Sequence, residues 1–203
     1  MSGRPFVTVV SGLPRSGTSL LMQMLRAGGM PVLADAARPP DPDNPRGYLE
    51  YEPVRRIERD AGFVAGAVGR AIKIVVPLVR HLPATHAYRV LLVERHIDEV
   101  IASQEAMLAR RGAAEAGELP PARLAAIYAA QLTEARDRLA ALPACDVLAV
   151  AHATLVSDPA AAAAAIDAFL GGGLDRAAMA RAVDATLHRQ RAAAGLGPRD
   201  SRP

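Results

Sequence analysis

The sequence predicts an α/β fold in three layers, with a central, mostly parallel sheet flanked by helices. Three observations predict it. Apolar β-branched runs alternate along the chain with segments of helical period. The runs are continuous rather than alternating, the pattern of strands buried on both faces. The chain has 203 residues, 51% hydrophobic and 22% charged, enough for one domain with a full core.

Each element follows in order. Residues 6–11 read as the first buried strand. Thr18–Ala27 has helical period, and Gly28-Gly29 stops it. Residues 31–33 suit a short strand, and 37–47 are rich in Pro, Asp and Arg, hence a loop. Residues 52–68 read as a helix closed by Gly69, and 71–76 as a strand ended by Pro77. A third core strand at 89–93 leads into a helix over 96–110. A linker of small residues at 112–118 and the Pro120-Pro121 pair precede a long helix, 122–141. Residues 146–150 form a fourth core strand. Two helices, Pro159–Leu170 and 175–187, flank Gly171-Gly172-Gly173. One domain over 1–191 is expected, with a loose Gly, Pro and Arg-rich tail over 192–203. In sheets of this type ligands sit beyond the carboxyl ends of the strands. The loops after Ser11, Val76, Val93 and Val150 are therefore expected to share one edge.

Composition narrows the function. The net charge is +3, with both signs mixed along the chain. That suits an anionic small molecule. No basic block interleaved with aromatics argues for nucleic acid. Trp is absent and aromatics make up 3%, so packing relies on Leu, Val, Ile, Ala and Met. Cys145 is the only cysteine, which excludes an internal disulfide and fits a reducing compartment. It reads as a small core residue rather than a nucleophile. No basic segment followed by an apolar run and cleavage site opens the chain, and no stretch is apolar for the ~18 residues of a membrane span. The expectation is a cytoplasmic protein without membrane association; oligomeric state is left open. The five His are dispersed and no Cys-x2-Cys pair exists, so no metal site is expected. No Gly-x-Ser-x-Gly elbow supports a hydrolase.

The run Val7-Thr-Val-Val-Ser-Gly-Leu-Pro-Arg-Ser-Gly-Thr-Ser19 carries the strongest signal. A strand enters a Gly/Pro/Ser loop that opens into a helix, placing amides and the positive end of a helix dipole at one point. The spacing is Gly12-x4-Gly17-Thr18-Ser19. A Walker A loop would carry lysine after the second glycine. Here Thr18 stands there, and the cation is Arg15 inside the loop. Pro14, Arg15, Ser16, Gly17, Thr18 and Ser19 are thus candidate anion-binding residues. A ligand-free strand–turn–helix junction is the plain competing reading. The second signal is Arg95, just past the third strand, with Ser103 eight residues on in the following helix. An ordinary strand-end salt bridge of Arg95 with Glu94 or Asp98 is the competing reading there.

Together these residues resemble the sulfotransferase family, on a P-loop NTPase-like fold. The first loop is similar to its 5′-phosphosulfate loop, and Arg95 with Ser103 to its 3′-phosphate motif. Asp43-Asn-Pro-Arg-Gly-Tyr-Leu-Glu-Tyr-Glu52 resembles the Asn-Pro-x-Gly-Tyr-x-Glu segment of a bacterial group. His152-Ala-Thr-Leu-Val-Ser-Asp-Pro159 is similar to Tyr-Glu-x-Leu-x-x-Asp-Pro, with His at the tyrosine position. Phe169-Leu-Gly171 resembles the family's Phe-Leu-Gly. The resemblance implies transfer of a sulfuryl group from 3′-phosphoadenosine 5′-phosphosulfate to a hydroxyl or amine, without a metal. It also implies a base. The family's Lys-Thr-His context is only half met by Lys73, which has no His directly after it; His81 comes several residues too late. Asp35 and Glu50 are the candidate carboxylates. Lys73 reads equally as a contact for the sulfuryl group or as a snorkelling strand-end lysine. Arg189 is a candidate for the 3′-phosphate, against a solvated helix end. Two other classes stay open: a P-loop kinase or NTPase of unusual type, and a catalytically inactive nucleotide-binding module.

Overall fold

The computed structural model describes residues 5–41, 44–110 and 119–184. Four strands, β1 (Phe6–Gly12), β2 (Ala71–Lys73), β3 (Ala87–Glu94) and β4 (Cys145–Ala151), form one sheet in the order β2-β1-β3-β4. Every pairing is parallel. The register aligns Val9 with Ile72, Val10 with Leu91, and Leu91 with Leu148. The helices are α1 (Thr18–Ala27), α2 (Ile97–Arg110), α3 (Pro121–Ala140), α4 (His152–Ser157), α5 (Pro159–Leu170) and α6 (Arg176–Arg181).

Side chains of successive strand residues point to opposite faces, and each face builds its own core. Val7, Val9, Val90 and Leu92 pack with Val100 and Ile101 of α2 and Leu139 of α3. Val10, Leu91 and Val93 pack with Leu21, Met22 and Leu25 of α1 and Ile166 of α5. The three-layer architecture expected from the sequence is therefore present.

Several boundaries differ from the sequence expectation. Residues 52–68 do not form one helix; they form two short 3-10 segments, Glu52–Arg56 and Gly62–Ala67. Between them Asp60 Oδ1 accepts from Gly62 N at 2.8 Å, a local turn that competes with helix continuation. Gly62 and Gly66 lower the helical propensity further. β2 stops at Lys73, because Pro77 sits in the first turn of a third 3-10 segment, Val76–His81. Residues 31–33 contribute a single parallel bridge, Val32 with Ala71. α6 ends at Arg181, and the end of the expected 175–187 helix lies outside the described residues. α4 was not anticipated by the periodicity.

Asp158-Pro159 has a local structural role. Asp158 is the N-cap of α5, its Oδ1 accepting from Ala161 N at 3.0 Å, and Pro159 opens the helix. Asp158→Ala is expected to lower the unfolding free energy by about 1 kcal/mol in urea titrations, leaving the slope unchanged.

Candidate functional site

Because all four strands are parallel, their carboxyl ends lie on one edge, and the loop after each strand reaches a single cavity of about 500 Å3. Its lining includes Pro14, Arg15, Gly17, Thr18 and Ser19 after β1, Lys73 and Val75 at β2, Arg95 after β3 and His152 after β4.

The loop after β1 is held by close approach. A side chain at Gly12 would place its Cβ 2.4 Å from Ser16 Oγ and 2.9 Å from the Val93 carbonyl oxygen, so only glycine fits. Ser16 N donates to Leu13 O at 3.1 Å, closing a turn. Arg15 takes a left-handed φ of 69°, a conformation that costs on the order of 1 kcal/mol outside glycine. Gly17, with φ 107°, is the N-cap of α1, and a Cβ there would lie 2.5 Å from His152 Cδ2. The helix therefore opens with no side-chain cap and no acidic residue in its first turn. Its first amides have no acceptor within the helix. Ser16 Oγ is buried without a hydrogen-bond partner.

Two sequence motifs meet here. Arg95 Nη1 donates to Arg15 O at 3.1 Å, and Arg15 Nε donates to Ser103 Oγ at 3.2 Å. Arg95 Nε donates to Glu99 Oε2 at 2.8 Å, one helical turn on; Glu94 bonds instead with Arg136. The ion pair places the Arg95 side chain, 7% exposed, against the loop.

On the β2 side Lys73 Nζ donates to Tyr48 O at 2.5 Å, Ser19 Oγ at 3.1 Å and Glu50 Oε1 at 3.2 Å. Burial pushes its pKa down to about 8, against the opposing pull of Glu50. Glu50 also accepts from Arg38 Nη1 at 3.1 Å. The Arg38 guanidinium lies over the Tyr48 ring, 3.3 Å from its centroid. Gln23 of α1 fastens the segment, its Nε2 donating to Asn44 Oδ1 at 3.3 Å and Gly47 O at 3.0 Å.

Of the residues expected from the sequence, the structure brings together Pro14, Arg15, Gly17, Thr18, Ser19, Glu50, Lys73, Arg95 and Ser103 around one cavity. Ser16 lies in the same loop, buried beneath it. Asp35 does not line the cavity. Its Oδ1 accepts from Ala37 N at 3.0 Å and its Oδ2 from Glu52 N at 2.6 Å, so the carboxylate fixes the chain that carries Glu50. His81 lies in the third 3-10 segment, beside Arg80 and away from the cavity lining. Arg189 lies outside the described residues. The sequence reading missed Gln23, Arg38, Arg110, Tyr128 and His152, all of which line the cavity. His152 had a usable signal, as the first residue after a parallel strand. Burial pushes the Cys145 thiol up to about 11, as suits a packing residue. Among the described residues, no group of three or more His, Cys, Asp or Glu could hold a metal. No helix among them is long and apolar enough to cross a membrane.

Comparison with known proteins agrees on the fold. No family model matches the chain, and no curated protein matches it. Among solved structures it is similar to the sulfotransferase domain from the curacin biosynthetic pathway, at 16% identity, with a TM-score of 0.53. The likeness covers 90% of this chain and 79% of that one. The chain thus has a sulfotransferase-like α/β fold.

Two outcomes test this geometry. Between pH ~8 and ~10.5 the unfolded chain holds a proton on Lys73 that the folded chain has lost, so unfolding free energy should rise with pH there, by at most ~3 kcal/mol. Denaturant titrations of Lys73→Met should lack that rise. Gly17→Ala, which meets both the left-handed φ and His152, should lower the melting temperature by several degrees.

Proposed function

We propose that the protein is a sulfotransferase that takes its sulfuryl group from 3′-phosphoadenosine 5′-phosphosulfate. One observation carries the reading. Arg15 and Arg95, 80 residues apart in sequence, are hydrogen-bonded to one another at the uncapped start of α1, with Ser103 completing the set. The donor set fits a molecule with two separated anionic groups. The uncapped start of α1 suits one anion, and Arg95 with Ser103 suit a second.

Residues 14–19 would hold the 5′-phosphosulfate, with the first amides of α1 and the hydroxyls of Thr18 and Ser19 as donors. Arg95 and Ser103 would hold the 3′-phosphate, joined by Arg189. The bound donor supplies an activated sulfuryl group. Arg15 places a fixed positive charge where charge develops during transfer. Lys73, already bonded to Ser19, adds a second cation from the opposite side. The carboxylates of Glu50 and Asp184 line the cavity. Asp184 is paired with Arg46, and Glu50, beside Lys73, is the base we assign to the acceptor proton. Asp35 positions it from behind, through the amide of Glu52 and its own amide bond to Glu50 O at 2.9 Å.

Calorimetric titration with adenosine 3′,5′-bisphosphate, beside ATP with magnesium, tests the reading. Micromolar binding of the bisphosphate and little of ATP is expected. Arg95→Ala should weaken the bisphosphate about tenfold or more, the loss of one charge-assisted contact, without changing ATP. Preference for magnesium-ATP that survives Arg95→Ala would instead make the protein a P-loop kinase or NTPase. With a competent acceptor, Glu50→Gln should lower kcat about 100-fold or more while leaving bisphosphate affinity unchanged.

A further inference from the structure

The cavity lining comes from two sets of elements with different chemistry, its two arms. The arm toward α2, α3 and α4 is lined by Ala106, Met107, Tyr128 and Val156, with Arg95, Ser103 and Arg110. An apolar wall beside cations suits a nucleobase and its phosphates. If the donor lies there, as proposed above, its sulfuryl end points to the arm on the β2 side. That second arm is the place of the acceptor.

The lining of the β2 arm is specific. Its cations are already paired: Arg38 and Lys73 with Glu50, and Arg46 with Asp184 at 3.3 Å. An anionic acceptor would have to compete with Glu50 and Asp184 for these cations. Leu20 and Val75 are the aliphatic residues near it, and the face of Tyr48 is covered by Arg38. A flat apolar acceptor finds no platform. The arm does offer neutral hydrogen-bonding groups. Gln23, 8% exposed, uses its Nε2 on Asn44 and Gly47, which leaves its Oε1 without a partner among the described residues. Asn44 accepts through Oδ1, which likewise leaves its Nδ2 without one. An acceptor oxygen and a donor N–H, on two residues tied to each other, are thus set in the wall of the same arm as Glu50.

We infer that the acceptor is an uncharged, polyhydroxylated molecule of carbohydrate type, read by the Gln23–Asn44 amide couple and activated at Glu50. The inference rests on the donor reading above. In the reaction the acceptor hydroxyl oxygen forms the new S–O bond, and the bond from sulfur to the donor's phosphate oxygen breaks. The electron pair leaves on adenosine 3′,5′-bisphosphate, and the acceptor proton passes to Glu50. A site that presents a mostly buried glutamine and a half-buried asparagine to hydroxyl partners disfavours ligands that lack them, because the amide atoms would lose water without gaining a partner.

Transfer of labelled sulfate from the donor is measured with maltotriose, cellotriose and chitotriose, against 4-nitrophenol, dodecanol and a uronate-containing trisaccharide. Bisphosphate affinity is measured on the same protein. The expected result is transfer to at least one neutral sugar, with kcat/KM at least tenfold above the other three classes. Gln23→Leu should raise the sugar KM about tenfold and leave the bisphosphate Kd unchanged, which also certifies its fold; Asn44→Ala gives a second reading of the same couple. Bisphosphate binding with preference for the phenol, the alcohol or the uronate overturns the acceptor class alone, as does binding with no transfer to any neutral sugar. Failure to bind bisphosphate overturns the donor reading and this inference with it.

Discussion

The buried ammonium of Lys73 is the contact on which the site's architecture depends. It is the last residue of β2, and its three bonds reach α1 through Ser19 and the 44–50 segment through Tyr48 and Glu50. Three pieces of chain that share no secondary structure are joined at one atom. A buried cation is tolerated only where its donors are satisfied. Here two of the three acceptors are neutral oxygens and one is a carboxylate, so desolvation still dominates and the proton is held loosely. The arrangement keeps a cation beside the opening of α1 without neutralising it fully.

Across the cavity the same task is met differently. Arg15 is carried by a strained backbone and Arg95, just before α2, by an ion pair with Glu99 in that helix's first turn. Both restrain a long side chain that would otherwise lose considerable rotamer freedom on binding an anion. Glycine appears at the two places where the loop touches other elements, at Gly12 against β3 and at Gly17 against His152. The loop is short because its neighbours leave it no room.

How much of this was legible depended on how local the cause was. The bounds of α1 follow from a run of Leu and Met at helical spacing between Gly17 and Gly28, and the sequence reading placed them correctly. Parallel pairing followed from continuous apolar runs, whereas the strand order β2-β1-β3-β4 depends on contacts between distant segments that no local pattern encodes. The 52–68 stretch misled because its apolar spacing mimics a helix, while Asp60 and the glycines decide the backbone locally. Gln23 looked like any polar helix position. Its burial comes from the 44–50 segment packing across it, a contact between residues 21 and 24 apart that no helical period encodes. Spacing after Arg15 pointed to Asp35 as a base, with Glu50 as a second candidate. The fold separates them, turning Asp35 toward two backbone amides and Glu50 toward Lys73.

The strand order also has a consequence for the birth of the chain. β1 lies in the interior of the sheet, yet both its neighbours come later, β2 beginning at Ala71 and β3 at Ala87. On the ribosome β1 and the anion loop emerge before both strands that flank them, which follow some 60 to 80 residues later. Parallel pairing of this kind is slow and leaves a sticky nascent segment exposed meanwhile. The loop of Arg15 can take its working shape only after Arg95 has been synthesised. The site is thus a late product of folding rather than a feature of its first strand.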